Sequence, residues 1–260
     1  MPGPDAIAPT QLARLIGTPD APLILDVRTA DDFAADPMQL PCGQRANPLD
    51  PATDLPLQHI VVSCQKGGKF SMGAAALLRT MGHRAEVLEG GWLAWRAASL
   101  PVVDPQAQAI PLWVTRHRPK VDRIACPWLI RRFLNPAARI LYVAPFAVPD
   151  VADKFAATPF DIEGVPYSHD GDLCTFDTML TRFGLHSEPL SRMAQVIRAA
   201  DTDRHDLAPQ AAGLLAISVG LSRQFRDDLQ QLEAGMVVYD ALYRWARDGH
   251  DEGHDWPAGR

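Results

Sequence analysis

The sequence predicts an α/β chain in two parts: a parallel sheet with flanking helices, followed by a mostly α-helical (α+β) second domain. Short apolar runs alternate with helical segments over the first hundred residues. A proline-rich stretch follows, and helical spacing dominates the rest of the chain. The predicted boundaries are residues 1–104 for the first domain, 105–112 for a linker, 113–247 for the second domain and 248–260 for a polar tail.

The first domain is predicted to alternate strands and helices. The expected strands are Pro22–Arg28, His59–Cys64 and Ala85–Gly91, and the expected helices are Ala30–Asp36, Ser71–Gly82 and Trp92–Ala98. This alternation is typical of a parallel sheet covered on both faces. In such sheets, sites lie at the carboxyl ends of strands, and Cys64 is at one of these ends.

The second domain is predicted to contain a few strands and several helices. Strands are expected at Trp113–Pro119 and Arg139–Phe146. A helix is expected within Ile124–Leu134, with Pro127 in its first turn, because proline deeper in a helix costs about 3 kcal/mol. Later helices are expected at Cys174–Phe183, Pro189–Ala200, Pro209–Phe225 and Asp228–Arg247, with Ser187 as the N-cap of the second.

Composition narrows the possible functions. The net charge of −6 shows no basic bias and gives little support for nucleic-acid binding. No apolar run approaches the roughly 18 residues of a membrane span, so no membrane association is expected. The N-terminus lacks the features of a signal peptide, which favours a cytoplasmic location. The four cysteines form no CxxC pair, which argues against a disulfide framework or a zinc finger.

The segment that begins at Cys64 has the composition of an anion-binding loop. Its members are Gln65, Lys66, Gly67, Gly68 and Lys69. The two glycines permit a turn in which several N–H groups point inward, and the following helix directs its positive end at the same place. Both features would favour a thiolate, so Cys64 is predicted to be a catalytic nucleophile; the alternative is a small buried residue.

Residues Ala21–Val103 resemble a single rhodanese domain. The matching motifs are LILDVRTADDF, the C-x-x-G-x-[KR] loop from Cys64 to Lys69, LLRTMGH and LEGGWLAW. The resemblance implies that Cys64 takes a sulfur atom from a small-molecule donor, becomes a persulfide and passes the sulfur to a thiol acceptor. It also implies that Asp26 and Arg28 form a structural pair. Two departures are Lys69 in place of the usual arginine, and a Phe70 that precedes the serine.

Residues from Trp113 to about Trp256 resemble the ChrB-type C-terminal domain of chromate-resistance proteins. The matching motifs are WVTRHRPKVDRIACPWLIRRFLNP, ATPFDIEGVPYSHDGDLCTFDTML, AADTDRHDLAPQAAGLLAISVGL and LEAGMVVYDALYRW. The resemblance implies an association with chromate resistance and supplies little mechanism.

Two clusters in this half suggest ligand sites. The oxyanion candidates are Arg116, Arg118, Lys120 and Arg123 at a strand exit and a helix start, a fair place for chromate or another tetrahedral dianion. The metal candidates are His169, Asp177, Asp201 and Asp203, with Cys174 and His205 nearby in sequence. Solvated charged faces and ordinary helix-end residues are the alternatives. The sequence establishes no cofactor, and the one that it suggests is a divalent metal in the second domain.

Three hypotheses of function follow. The chain is a rhodanese-type sulfurtransferase, or another thiol-dependent protein linked to chromate or oxyanion resistance, in which Cys64 forms a persulfide or related adduct. Alternatively, it is a non-catalytic sensor that binds chromate or a metal ion through the second domain. A regulator of chromate-resistance genes has the least support, because no helix-turn-helix is visible.

Overall fold

A computed structural model describes residues 5–51 and 57–253. The chain divides into two compact units. The first runs to Pro111 and includes Leu129–Ala138, and the second comprises Leu112–Trp128 and the chain from Arg139 onward. Over the described residues, no helix has the length and apolar character needed to cross a bilayer.

The first unit is built on a five-stranded parallel sheet in the order β1-β5-β4-β2-β3. Its strands are β1 (Ala6–Ile7), β2 (Leu23–Asp26), β3 (Gly43–Arg45), β4 (His59–Ser63) and β5 (Arg84–Leu88). Its helices are α1 (Pro9–Leu15), α2 (Ala30–Ala35), α3 (Lys69–Thr80), α4 (Gly91–Ala97) and α5 (Pro105–Gln108). The predicted parallel sheet with flanking helices is therefore confirmed.

The core of this unit forms where α3 packs on the central strands. Ile60 and Val62 of β4 are fully buried, as are Ala74 and Leu78 one turn apart on α3. The small alanines of α3 let the helix approach the β-branched strand residues closely, because spacing of three and four places them on one face. This packing fixes β4 relative to α3, and the loop between them holds Cys64.

Residues 105–112, predicted as a linker, are partly structured. They contain α5, which Asp104 caps by accepting a hydrogen bond from the Gln106 N–H at 2.8 Å. The side chain of Gln108 is buried in the first unit and donates to the Leu40 carbonyl at 2.9 Å. The composition predicted a linker, but a proline-rich stretch also suits a short helix with proline at its first position.

The second unit combines a small sheet with helices. Its strands, β6 (Leu112–Arg116), β7 (Arg139–Val143) and β8 (Thr158–Pro159), pair in parallel in the order β7-β6-β8. Its helices are α6 (Asp122–Leu129), α7 (Val148–Phe155), α8 (Thr175–Phe183), α9 (Glu188–Asp201), α10 (Ala211–Gln224) and α11 (Asp228–Arg244). Ser187 caps α9 as predicted, because its hydroxyl accepts a hydrogen bond from the Leu190 N–H.

The predicted position of Pro127 is wrong. The residue lies inside α6 rather than in its first turn. A proline there leaves the carbonyl four residues earlier, on Arg123, without its helical donor. The hydroxyl of Tyr142 on β7 donates to that carbonyl at 2.8 Å, which offsets the loss.

The stretch Leu129–Ala138 lies inside the predicted second domain but packs with the first unit. Its π-helical turn, Ile130–Leu134, presents the Phe133 carbonyl to the Cys42 N–H at 3.1 Å. The Asn135 amide donates to the Ile110 carbonyl at 3.4 Å. The predicted boundary at residue 113 therefore does not separate the contacts cleanly, because a chain segment from beyond it completes the first unit.

The predicted polar tail is described only in part. Asp248 lies in a π-helical turn, Trp245–Gly249, and pairs with Arg244 at 2.7 Å and Arg247 at 2.9 Å. Residues 254–260 lie outside the described residues.

Candidate functional site

Cys64 follows β4 directly, and a backbone N–H and a hydroxyl lie close to its sulfur. The Gly68 N–H donates to Sγ at 3.2 Å, and the Ser71 hydroxyl lies 3.1 Å from Sγ. Ser71 also contacts the Gly68 carbonyl at 3.1 Å, so its hydroxyl bridges the sulfur and the loop. Cys64 is 5% exposed, so little of its surface is in contact with solvent.

A pair of glycines after β5 holds the cysteine loop in place. Gly91 has φ +58°, and a Cβ there would lie 2.1 Å from the Cys64 carbonyl oxygen. This closeness lets the first turn of α4 bind the loop: the Trp92 N–H donates to the Cys64 carbonyl at 2.9 Å and the Leu93 N–H to the Gln65 carbonyl at 3.1 Å. The glycine pair of the LEGGW motif therefore positions the loop that carries Cys64.

The electrostatic setting of Cys64 favours the thiolate. Burial alone would raise its pKa, but hydrogen bonds from the Ser71 hydroxyl and from the N–H groups of Ser71, Lys66 and Gly68 outweigh it and lower the pKa below its ordinary value. The principal causes are thus donors and not ammonium groups. The Lys69 ammonium lies 5.3 Å from the centre of the Phe70 ring.

The departure at Phe70 is absorbed by α3. The helix begins at Lys69, so Phe70 occupies its first turn and Ser71 still reaches the sulfur. Phe70 is exposed, which leaves the buried side of the helix to Ser71 and the alanines.

Asp26 and Arg28 form a buried pair beside the sheet. Arg28 contacts the Asp26 carboxylate at 2.7 Å and donates to the carbonyls of Asp36 and Met38. Its guanidinium also lies 4.1 Å from the centre of the Trp92 ring. Because Trp92 begins the turn that binds the cysteine loop, this pair supports the loop from the side without touching the sulfur.

In the second unit, three of the four oxyanion candidates line one cavity. The cavity has a volume of about 390 Å³, and its polar lining consists of His117, Arg118, Lys120, Arg123, Ser222 and Arg223. Arg118 is held by the carbonyls of Phe225 and Ser222, near the end of α10. Among the described residues the ionisable groups that line this cavity are basic, and the Asp228 carboxylate accepts the Arg118 N–H at 3.2 Å. The fourth candidate, Arg116, instead pairs with Asp161 at 2.8 Å.

A second cluster in this unit gathers His169 with carboxylates. Its Nε2 lies 3.1 Å from Asp201, 3.7 Å from Asp122 and 3.7 Å from Asp161. One ligand atom each from Asp122, His169 and Asp201 lies within 4.8 Å of the others. Three separate chain segments supply these groups: Asp122 begins α6, His169 precedes α8 and Asp201 ends α9.

The metal candidates are thus brought together only in part. His169 and Asp201 meet, whereas Asp177 pairs with Arg198 at 3.0 Å and accepts the Cys174 N–H at 3.2 Å. Asp203 is exposed and lies 3.7 Å from His205. Cys174, like Cys126, is fully buried, and burial raises the pKa of both thiols.

Two residues of the cluster, Asp122 and Asp161, were missed from the sequence. Asp122 stands among basic residues and Asp161 follows a short strand, so neither has metal-ligand spacing relative to His169. One local signal was present, because an aspartate at the start of a helix suits the positive end of that helix dipole. In the structure, however, Asp122 accepts the Thr175 N–H at 2.6 Å and so serves the start of α8 as well.

The pKa values of Asp122, Asp201 and His169 are all raised. Burial, followed by the neighbouring Asp201 and Asp161, raises the pKa of Asp122 well above its usual range. Burial and Asp161 raise that of Asp201. The Asp161 carboxylate is the largest cause that raises the pKa of His169, to about 9, and Asp122 and Asp201 add to it. Although Asp201 makes the shortest contact with His169, all three carboxylates therefore act on the imidazole.

Within the cluster, the Asp161 carboxylate has several hydrogen-bonding and charged partners that stabilise its anionic form. Burial would raise its pKa, but hydrogen bonds with His169, Arg116 and Thr175 lower it. Arg123 adds a contact at 3.3 Å. Its negative charge is therefore compensated within the cluster, unlike the charge of Asp122.

Comparisons with known proteins match both units. The family model described as rhodanese-like domain matches residues 8–98, and the one described as ChrB, C-terminal domain, matches residues 113–246. Protein ChrB of Cupriavidus metallidurans is 34% identical over 148 residues, which are 56% of this chain and 44% of that protein. The chain thus spans less than half the length of this curated relative.

Solved structures also resemble part of this chain. Thiosulfate sulfurtransferase from Pseudomonas aeruginosa is 29% identical with a TM-score of 0.34, covering 40% of this chain and 20% of that one. A rhodanese-related protein from Thermoplasma volcanium is 22% identical with a TM-score of 0.33, covering 38% of this chain and 96% of that one. Because the ChrB model spans more than half of the sequence, this chain belongs to the ChrB C-terminal domain family, and it carries a rhodanese-like domain ahead of that domain.

Proposed function

We propose that the chain is a rhodanese-type sulfurtransferase linked to chromate or oxyanion resistance, with Cys64 as its nucleophile. The observation that carries the proposal is the set of donors around the sulfur. Gly68 N–H at 3.2 Å and the Ser71 hydroxyl at 3.1 Å favour the anionic sulfur, and the pKa of Cys64 is correspondingly lowered. A thiolate is the reactive form of cysteine. Cys64 directly follows a strand, and backbone N–H groups of its own loop donate to the sulfur.

The proposed reaction has two steps. The Cys64 thiolate attacks the outer sulfur of a donor such as thiosulfate; the new S–S bond forms as the bond to the sulfite group breaks, and sulfite leaves with the electron pair. The resulting persulfide anion is stabilised by the same donors that hold the thiolate. A thiol acceptor, as its thiolate, then attacks the outer sulfur and regenerates the Cys64 thiolate. No outside oxidant or reductant is needed.

The test is persulfide formation on the full chain. Thiosulfate is added, and intact mass spectrometry measures the gain of one sulfur atom, followed by its loss on addition of a thiol. Cys64→Ser should abolish the gain. Cys42→Ser is the matched control, because Cys42 is also buried in the first unit but burial raises its pKa to about 12. A wild-type chain that gains no sulfur, or a Cys64→Ser chain that still gains it, contradicts the proposal.

A second candidate function is oxyanion binding by a sensor, and the basic cavity supports it. Lys120 and Arg223 line this cavity, and within the described residues neither has an ion-pair partner. A chromate dianion would find ammonium and guanidinium donors there. This candidate connects directly with the ChrB family match over residues 113–246.

Titration with chromate and with sulfate separates this candidate from the first. Lys120→Gln and Arg223→Gln should each weaken binding by about tenfold, the effect of losing one charge-assisted hydrogen bond. Arg204→Gln is the control, because Arg204 is exposed and pairs with Asp206 at 2.9 Å outside the cavity. Equal binding by all four proteins would remove the cavity from consideration. Saturable binding without Cys64-dependent sulfur transfer would favour the sensor.

A further inference from the structure

We propose that Asp122, His169 and Asp201 form a binding site for one divalent first-row transition-metal ion in the second unit. The proposal is independent of sulfur transfer at Cys64 and uses no residue of the cysteine loop. It rests on three features of the described residues: the spacing of the ligand atoms, a buried carboxylate oxygen without a partner, and an access route beside the imidazole.

The spacing of the ligand atoms already suits a metal ion. Nitrogen and oxygen ligands lie about 2.0–2.2 Å from a zinc ion, so neighbouring ligands in a regular shell are about 3–3.5 Å apart. His169 Nε2 lies 3.1 Å from Asp201 and 3.7 Å from Asp122, and the three ligand atoms all fall within 4.8 Å of one another. The distance from His169 to Asp201 already falls in this range, and the distance from His169 to Asp122 is a few tenths of an ångström longer.

The second feature is Asp122 itself, which is 1% exposed. One of its oxygens, Oδ2, accepts the Thr175 N–H at 2.6 Å. The other, Oδ1, is buried and has no hydrogen-bond partner among the described residues. A buried carboxylate oxygen left this way costs free energy unless a cation or a proton occupies it.

The surrounding residues leave Asp122 and Asp201 without a guanidinium contact at ion-pair distance among the described residues. The two arginines of the cluster, Arg116 and Arg123, are committed to Asp161 at 2.8 Å and 3.3 Å. Among the described residues, His169 is the basic side chain that contacts both carboxylates. Asp161 completes the surroundings, because its carboxylate lies 3.7 Å from the same Nε2 and adds a third negative group beside it.

The third feature is access. Asp122 is buried, but the side chain of His169 is 42% exposed, so an ion and its water ligands reach the cluster from the imidazole side. Imidazole with carboxylates suits zinc, iron, manganese or cobalt ions better than soft ions that need thiolate ligands. The nearby thiols of Cys126 and Cys174 are buried and are not part of the ligand set.

Cobalt(II) is the probe of choice, because its spectrum reports the ligand type. The full chain is stripped of metal with a chelator, dialysed and titrated with Co²⁺. We expect one ion per chain, visible d–d absorption and no thiolate-to-cobalt charge-transfer band in the near ultraviolet. Elemental analysis after exposure to Zn²⁺, Mn²⁺ and Fe²⁺ under anaerobic conditions then ranks the natural ions.

Two near-isosteric variants and one control decide the outcome. His169→Gln and Asp201→Asn should each weaken Co²⁺ binding by at least tenfold, whereas Asp203→Asn, two residues away and exposed, should bind as the wild type does. Circular dichroism establishes that the variants are folded, and a metal-dependent rise in melting temperature should occur in the wild type and be lost in His169→Gln.

Three results would overturn the proposal. A wild type that binds no ion at stoichiometric concentration leaves an ion-pair cluster only. Equal losses in Asp203→Asn and Asp201→Asn would indicate a general charge effect. A thiolate charge-transfer band would assign the ion to cysteines instead.

Discussion

The removal of one hydroxyl, in Ser71→Ala, tests the electrostatic setting of Cys64. Ser71 is fully buried and lies 3.1 Å from the sulfur, and it is the largest of the causes that lower the pKa of Cys64. A hydrogen bond to a charged group contributes about 1.5–3 kcal/mol, and 1.36 kcal/mol corresponds to one pKa unit. Because sulfur is a weak acceptor, the lower figure applies, and the pKa should rise by about one unit.

The assay is the rate of alkylation by iodoacetamide as a function of pH. In the wild type the rate should fall as pH drops through the lowered pKa of Cys64, and its midpoint should lie below the value of about 8.5 for a free cysteine. At any pH below both midpoints, the thiolate fraction of Ser71→Ala should be about tenfold lower than that of the wild type, because its pKa is about one unit higher. Nucleophilicity rises about threefold with the higher pKa, so the net rate falls about threefold.

Above both midpoints the order reverses, and Ser71→Ala should react about threefold faster than the wild type. Thr80→Ala is the matched control, because Thr80 lies on the same helix and its hydroxyl donates to the Leu77 carbonyl instead of the sulfur. Its profile should overlay that of the wild type. Coincident midpoints for Ser71→Ala and the wild type would refute the reasoning, as would a wild-type sulfur that no reagent reaches.

Further predictions concern the frame around the loop. Gly91→Ala should destabilise the fold by about 2 kcal/mol or more and reduce the persulfide yield, because its Cβ would lie 2.1 Å from the Cys64 carbonyl oxygen. Gly68→Ala is the control and should melt near the wild-type temperature, because a Cβ at Gly68 has no atom within 4 Å. Arg28→Met should lower the free energy of unfolding in urea by about 3 kcal/mol, because it leaves the Asp26 carboxylate buried with one partner fewer. Gly73→Ala should raise that free energy by about 1 kcal/mol, because the residue is inside α3 and its Cβ meets nothing.

Local patterns were enough to predict three strands and three helices of the first unit and the later helices, but β1, β3, α1 and α5 were not predicted. The β-branched run of β4 and the alanine spacing of α3 each specify an element whose neighbours are close in sequence. The cysteine loop follows from the same locality, because the sulfur and its donors Gly68 and Ser71 lie within seven residues of Cys64. What the sequence could not show is that a later segment, Leu129–Ala138, packs with this unit.

The second cluster was harder to predict because its members are far apart in the chain. Asp122 and His169 are 47 positions apart, and nothing in their local sequence relates them. Sequence proximity favoured Asp203 beside Asp201, but α9 ends at Asp201 and the chain turns at Asp203 with φ +56°, which carries that side chain into solvent. The prediction for Pro127 was wrong for a similar reason. The hydroxyl that bonds the Arg123 carbonyl belongs to Tyr142 on β7, which lies 19 residues further along the chain.

The two candidate sites hold ionisable groups in opposite electrostatic settings. Around Cys64, backbone and hydroxyl donors favour an anion without a counter-ion. Around Asp122, burial and two further carboxylates disfavour the anion, so the cluster gains from a cation. The first setting suits a nucleophile and the second a ligand set, and they have no side chain in common. An alkylating reagent should therefore block sulfur transfer and leave Co²⁺ binding intact, and a chelator should do the reverse. Loss of both activities with either reagent would mean that one of the two assignments is incorrect.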